Sequence, residues 1–232
     1  MRMHFLQHVP FESPAGIGDW ARQHNHSLSL TAFFENDPLP DMDDFDWLVV
    51  LGGPMNIHEH DRHPWLVDEK QFIRDSIAAG KVVIGICLGS QLIANVLGGK
   101  VIRNEYREIG WHPVWRTPES ERSGIFRSLP MEFTAFHWHG DVCSVPPGSA
   151  IMAESEACPN QAFEHERRVI GLQFHLESSP ESIERLISNC EDELVCGPFI
   201  QQLSELRLGY THLPSLRRTM NVLFDSIASQ HG

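Results

Sequence analysis

The sequence predicts a doubly wound α/β fold: a mostly parallel sheet flanked by helices, with a small extra antiparallel sheet and a helical C-terminal extension. Three observations predict it. Short apolar runs alternate with segments of helical period through the first hundred residues. Two of those runs, "DWLVVLGGP" and "KVVIGICLG", are apolar on both faces and end in glycine, as central strands of a parallel sheet do. From about residue 100 to 175 the β-type runs are instead broken by Pro and Gly, as in "WHPVWRTP", "EFTAFHWHGD" and "VPPGSAIMAES", which predicts added, partly antiparallel strands.

Taken in order, "MRMHFLQH" reads as a first strand, "GIGDWARQHN" as a helix and "SLSLTAFF" as a second strand. After the loop "ENDPLPDMDDF" comes the strand ending in "LGGP". The helix "PWLVDEKQFIRDSIAAG" follows, with Trp65, Phe72, Ile73 and Ile77 on its apolar face and Gly80 as its stop. Next are the strand Val82 to Ile86 and a helix striped by Leu88, Leu92, Ile93, Val96 and Leu97. "RRVIGLQFHLE" returns as a strand. "SSPESIERLISNC" is a helix with Ser179 as N-cap and Pro180 at its first position. In "PSLRRTMNVLFDSIASQ", Leu216, Met220, Leu223, Phe224 and Ile227 share one side, a stripe that predicts packing against the chain's own core. The expected organisation is one domain over 1–232, with a core of about 1–190 and a helical extension over 191–232.

Composition narrows the function. A formal net charge of -13 argues against nucleic acid as a partner, because phosphate backbones call for clustered Lys and Arg. No apolar run reaches membrane-spanning length, and the first residues lack the apolar core of a signal peptide, so the expected location is the cytoplasm, with no membrane partner. "DMDDFD" reads as a solvated acidic loop, and His58, His60 and His63 as surface histidines, so no metal site is expected. The five cysteines, at 87, 143, 158, 190 and 196, form no C-x-x-C pair and suit free thiols.

One of those thiols stands apart. "GICLG" sets Cys87 between a strand and a helix with Gly85 and Gly89 two residues to either side, the form of a nucleophile elbow. Glycines relieve crowding at a sharp turn, and the free N–H groups of the following helix favour a thiolate and a developing oxyanion. The alternative is an inert buried thiol. A cysteine nucleophile also needs a base with an orienting partner. "GLQFHLE" offers His175 at a strand end with Glu177 two residues on, on the same side of the strand. "LGGP" offers a third element: Gly52 and Gly53 at the sheet's carboxyl edge, where a Gly53 N–H could join that of Leu88 as a two-donor oxyanion hole.

"LGGP", "GICLGSQ" and "GLQFHLE", in this order, resemble the class I, or triad, glutamine amidotransferases over about residues 45 to 190, with the amidotransferase domain of GMP synthetases as the nearest likeness. "HWHGD" is similar to that family's Ser-His-Gly-Asp loop, with Trp138 in place of Ser. The resemblance implies a flavodoxin-like core and a Cys87–His175–Glu177 triad that hydrolyses the glutamine side-chain amide through a glutamyl thioester. It implies oxyanion donors at Gly53 and Leu88. Substrate contacts would come from Gly52, Gln91, His139, Gly140 and Asp141, and no cofactor is implied. Leu176 replaces the family's usual Pro between His and Glu, a change in backbone stiffness.

The sequence contains neither a G-x-x-x-x-G-K-[ST] loop nor the Ser-Gly-Gly-x-Asp-Ser loop of GMP synthetase ATP domains, so ammonia would pass to a separate synthetase subunit or to none. Two other readings stay open: a γ-glutamyl hydrolase acting on a γ-glutamyl amine or peptide, and a non-catalytic regulatory module with the same fold. A site for longer leaving groups is expected to open past "MNIHEHDRHPW" and "RNEYREIGWHP", lined by Trp111, Tyr106 and His58.

Overall fold

The computed structural model describes residues 1–231. Among the described residues, nine strands form one sheet. β1 (Arg2–Gln7) lies between β2 (Ser27–Ala32) and β3 (Trp47–Val50); β3 pairs with β4 (Val82–Ile86), and all these pairings are parallel. β5 (Val101–Arg116), β6 (Glu132–Cys143), β7 (Ser149–Glu154) and β8 (Ala162–His165) are antiparallel to their neighbours, and β9 (Val169–Leu172) joins them to β4. The order across the sheet is β2-β1-β3-β4-β9-β8-β7-β5-β6. The antiparallel strands expected as a small extra sheet are therefore hydrogen-bonded in continuity with the parallel half. The short β8 carries no alternation that the sequence could announce.

Helices cover both faces of the parallel half. Alternation along each strand feeds two cores: Met3, Phe5, Trp47, Val49, Ile84 and Ile86 face one side, while Leu6, Leu48, Val50 and Val83 face the other. The first core is covered by α1 (Ala15–Gln23), α4 (Pro180–Cys190) and α6 (Leu213–His231), the second by α2 (Trp65–Ala78) and α3 (Leu88–Val96). A short helix, α5 (Leu203–Leu208), leads into α6. The apolar stripe of α6 is buried, and Phe224 packs 5.2 Å from the Trp20 ring, whose indole N–H donates to Asp225 at 2.8 Å. Burying a side chain the size of Phe224 contributes about 2–3 kcal/mol, so the extension is part of the core. Ser179 caps α4 through a reciprocal box with Ser182, next to Pro180.

Strand register sets the site. Val50 of β3 stands opposite Gly85 of β4, and Ile86 opposite Leu172 of β9. The segments leaving these three strands, 51–54, 87–91 and 173–177, therefore emerge together at one carboxyl edge, where open α/β sheets hold their ligands.

Candidate functional site

Cys87 occupies the turn between β4 and α3 with φ 50° and ψ -107°, a conformation strained for a residue with a Cβ. The flanking glycines permit it by close backbone packing. A Cβ on Gly85 would sit 2.5 Å from the Gly89 carbonyl, and one on Gly89 would sit 2.1 Å from the Val50 carbonyl oxygen. The Cys87 N–H donates to the Leu172 carbonyl at 2.8 Å, and its own carbonyl accepts from Ser90 Oγ at 2.7 Å, so the strained turn is held from both ends.

The sulfur meets the backbone carbonyl of Trp138 at 3.6 Å and Nε2 of Gln173 at 3.5 Å. Burial pushes the thiol up. Against this act the His175 ring and the Leu88 N–H, both of which favour a thiolate. Cys143, Cys158 and Cys190 are pushed up to about 12 by burial, and neither imidazole nor helix N-terminus opposes it. Cys87 alone among these four thiols has a base beside it.

His175 does not lie within a strand. β9 ends at Leu172, and the chain then runs along β6, where the His175 N–H donates to the Phe136 carbonyl at 2.8 Å. Its side chain still reaches both expected neighbours. Nδ1 is 2.7 Å from Glu177 Oε1; a carboxylate only accepts, so Nδ1 carries the proton and Nε2 is left free. Nε2 is buried without a hydrogen-bond partner. Burial opposes charge on this ring, yet Glu177 and Cys87 together hold its pKa well above the ordinary histidine value. The ring is thus set up to accept a proton from the thiol side and to be stabilised as an imidazolium.

A cavity of about 360 Å3 opens over Cys87 and His175. Gly53, Leu88, Gln91, His139, Gly140 and Asp141 all line it. Gly52 does not: it lies behind, where a Cβ would meet Glu12 Oε2 at 2.0 Å and His175 Cε1 at 3.3 Å. Gln91 is held by the Asp141 carbonyl and the Gln173 side chain, both at 3.2 Å. Trp111, Tyr106 and His58 are absent from the cavity wall, contrary to expectation. "RNEYREIGWHP" is largely strand, and it turns the Trp111 ring onto Gly209, with its N–H donating to the Leu206 carbonyl at 2.9 Å. Tyr106 packs on Phe199, and His58 is exposed.

Several site residues were not singled out from the sequence. His8 is buried at the end of β1, with Nδ1 2.8 Å from the Gly52 carbonyl and Nε2 2.8 Å from Glu69 Oε1. The Gly52 carbonyl only accepts, so Nδ1 donates to it and pins the "LGG" turn, while Nε2 faces the Glu69 carboxyl. Burial opposes charge on this ring, but Glu69 and the Gly52 carbonyl raise its pKa above the ordinary value. Asn56 donates to Asp141 at 2.8 Å and ties the segment after Gly53 to the wall opposite.

Beneath His139, the donor atoms of Glu108, His137 and His139 lie within 4.8 Å of one another, the one such grouping among the described residues. The Glu108 oxygens are already taken, by Ser155 and Gln161 at 2.7 Å each and by His139 Nε2 at 3.1 Å. Burial opposes ionisation of Glu108, but His139 and His137 bring its carboxyl down to about 2, and burial keeps His137 neutral down to about 3. This cluster anchors the 138–141 wall. His58, His60 and His63 form no comparable group; His60 faces the Lys70 ammonium at 2.9 Å.

No helix among the described residues is long and apolar enough to cross a membrane. The sequence matches the family described as "Glutamine amidotransferase class-I" over residues 22–191. It is 34% identical over 214 residues to the glutamine amidotransferase-like protein YfeJ of Salmonella typhimurium, covering 89% of this chain and 90% of the relative. It is 33% identical over 165 residues to the glutamine-hydrolysing GMP synthase of Bacillus subtilis, a match covering 69% of this chain and 28% of that enzyme. Among solved structures, a glutamine amidotransferase from Thermotoga maritima superposes with a TM-score of 0.88 at 29% identity, over 98% of this chain and 97% of that one. One from Methylobacillus flagellatus gives 0.91 at 28%, over 100% and 95%.

Proposed function

Because the chain belongs to the class-I glutamine amidotransferase family, we propose that it hydrolyses the side-chain amide of glutamine or of a related γ-glutamyl compound through Cys87, His175 and Glu177. One observation carries this reading: a cysteine on a strained elbow shares a cavity with a histidine whose Nδ1 is fixed by a carboxylate at 2.7 Å.

The chemistry follows from the atoms. Cys87 passes its proton to His175 Nε2, and its sulfur attacks the amide carbon. The oxyanion is received by the N–H groups of Gly53 and Leu88. His175 returns the proton to the leaving nitrogen as the C–N bond breaks, leaving a γ-glutamyl thioester. Water, deprotonated by His175, cleaves that thioester to glutamate and free thiol. Glu177 stabilises the imidazolium in both halves. The amino-acid end of the substrate is assigned to Gln91 and the backbone of His139 to Asp141. No step calls for a cofactor. Ammonia from glutamine would pass to a separate synthetase subunit or to water, as the kinship with GMP synthases suggests.

The size of the cavity favours a second reading alongside the first. Its wall continues past Cys87 to Glu12, Arg107 and Glu193, and about 360 Å3 is the room of a small drug-sized ligand. That supports γ-glutamyl amines or peptides as substrates. The test is glutamate release from glutamine and from a panel of γ-glutamyl amines and peptides, by the wild type and by Cys87→Ala. Release by the wild type alone is expected; equal release by Cys87→Ala would refute the triad.

A further inference from the structure

Glu12 sits in the loop between β1 and α1 and has no part in the chemistry above. It lines the main cavity beside Cys87 and His175, and also the small pocket behind them beside Gly52 and Glu177. One of its carboxylate oxygens lies close over Gly52, where an added Cβ would meet it at 2.0 Å, and the charge of the nearby His175 ring acts on it.

The other carboxylates of the cavity wall are engaged. Asp141 accepts from Asn56 at 2.8 Å and faces Arg103 at 3.4 Å. Glu59 accepts from the Asn56 N–H at 2.8 Å and pairs with Arg62 at 3.0 Å. Glu193 pairs with Arg107 at 3.5 Å. Glu12 has charged neighbours, His175, Glu177, His8 and Glu193, but none of the described residues donates a hydrogen bond to it. Glu12 is partly exposed and borders the cavity, so its carboxylate is free to receive a cation arriving there.

Its position says which part of a substrate would bring that cation. The leaving nitrogen must stand beside His175 to receive its proton, so groups bordering His175 on the cavity side border the leaving group. The amino-acid end is assigned to other lining residues, Gln91 and 139–141. We propose that Glu12 is a specificity residue that binds a second, cationic nitrogen on the leaving group, so that among γ-glutamyl amides the site prefers conjugates of diamines. This rests on the γ-glutamyl hydrolase reading and names its substrate class. The reaction is unchanged: water is consumed, the C–N bond breaks, and glutamate and the diamine leave.

Burial raises the Glu12 carboxyl to about 7. The carboxylate is therefore more populated above neutral pH, while an alkylammonium stays charged to about 10. A preference for a cationic leaving group should grow between about pH 6 and about pH 8, which a purely structural role for Glu12 would not produce.

The test compares γ-glutamyl-1,4-diaminobutane with γ-glutamylbutylamine, which differ in the terminal ammonium, through kcat/KM for glutamate release by the wild type and Glu12→Gln. A preference of about tenfold or more for the diamine conjugate at pH 8 is expected, the range of a charge-assisted hydrogen bond. It should shrink at pH 6 and fall to about one in Glu12→Gln. A wild-type ratio near one overturns the proposal even if the variant fails to fold. So does an equal loss on both substrates in Glu12→Gln, which would assign Glu12 to the α-ammonium. Release from glutamine with neither conjugate cleaved would sink the specificity and leave the triad standing; no release from any of the three would sink both.

Discussion

Gly89→Ala tests the packing that presents Cys87. In most helices alanine is favoured over glycine by about 1 kcal/mol. Here the added Cβ would lie 2.1 Å from the Val50 carbonyl oxygen and 2.7 Å from its carbon. Both partners are backbone, so no rotamer change relieves the overlap. α3 must move away from β3 by about 1 Å to restore contact distance. Overpacking of this kind costs about 1–3 kcal/mol, and a clash between two backbones belongs at the upper end. Set against the propensity gain, the net is about 2 kcal/mol of lost stability, or a Tm lower by roughly 4–8 °C for a chain of this length. The functional effect is larger. The shift separates the N-terminus of α3, with Cys87 and Leu88, from Gly53 at the end of β3. A 1 Å misplacement of reacting groups costs about 10²-fold in rate. Gly80→Ala is the control: nothing lies within 4 Å of its added Cβ and only its φ of +78° opposes it, so about 1 kcal/mol is lost with activity intact. Thermal unfolding by circular dichroism and a glutamate-release assay read both quantities. A Gly89→Ala protein as stable and active as the wild type would show that the α3–β3 packing does not hold Cys87 in place.

Glu177→Gln should lower kcat by about 10²–10⁴ with little change in KM, because it weakens the imidazolium without touching the substrate wall; steady-state kinetics with a large KM increase instead would contradict this. His8→Ala leaves Glu69 buried and unpaired, so urea unfolding should report a loss of about 3–5 kcal/mol. The folded His8 pKa is raised, so the stability it lends is fully present below the unfolded value of about 6.5 and is lost as pH rises through the folded one; a loss in His8→Ala that is smaller at pH 6 than at pH 8.5 would contradict the assignment. His4 and His137 behave oppositely: burial lowers them to about 4 and about 3, so the unfolded chain binds the extra protons. Stability should therefore fall as the pH drops from about 6.5 toward 4, by up to about 1.4 kcal/mol per unit for each ring, and a flat profile would refute it.

What the sequence made legible were site groups that are neighbours in the chain. Gly85, Cys87 and Gly89 make one turn that follows from local backbone rules, and His175 and Glu177, two residues apart, meet although the segment leaves the strand that the pattern suggests. The parallel half of the sheet was legible for the same reason, since strands apolar on both faces announce their burial. What escaped were groups joined across the fold. His8 reaches Gly52 and Glu69, Asn56 reaches Asp141, and Glu108 meets His139 across the β5–β6 pairing, none with a local signature. The expectation for Trp111 failed because the sequence marks a β-type run there but not which face each residue takes, and the ring lies toward Gly209. Glu12 carried no signal at all: it matters through the cavity it borders.

If Cys87 is the nucleophile, it becomes γ-glutamylated during turnover. Acid quenching while a γ-glutamyl substrate is being hydrolysed, followed by peptide mass mapping, tests it directly. A γ-glutamyl thioester is expected on the peptide containing Cys87 and none on those containing Cys143, Cys158, Cys190 or Cys196. Turnover with Cys87 unmodified, or with the acyl group on another residue, would contradict it.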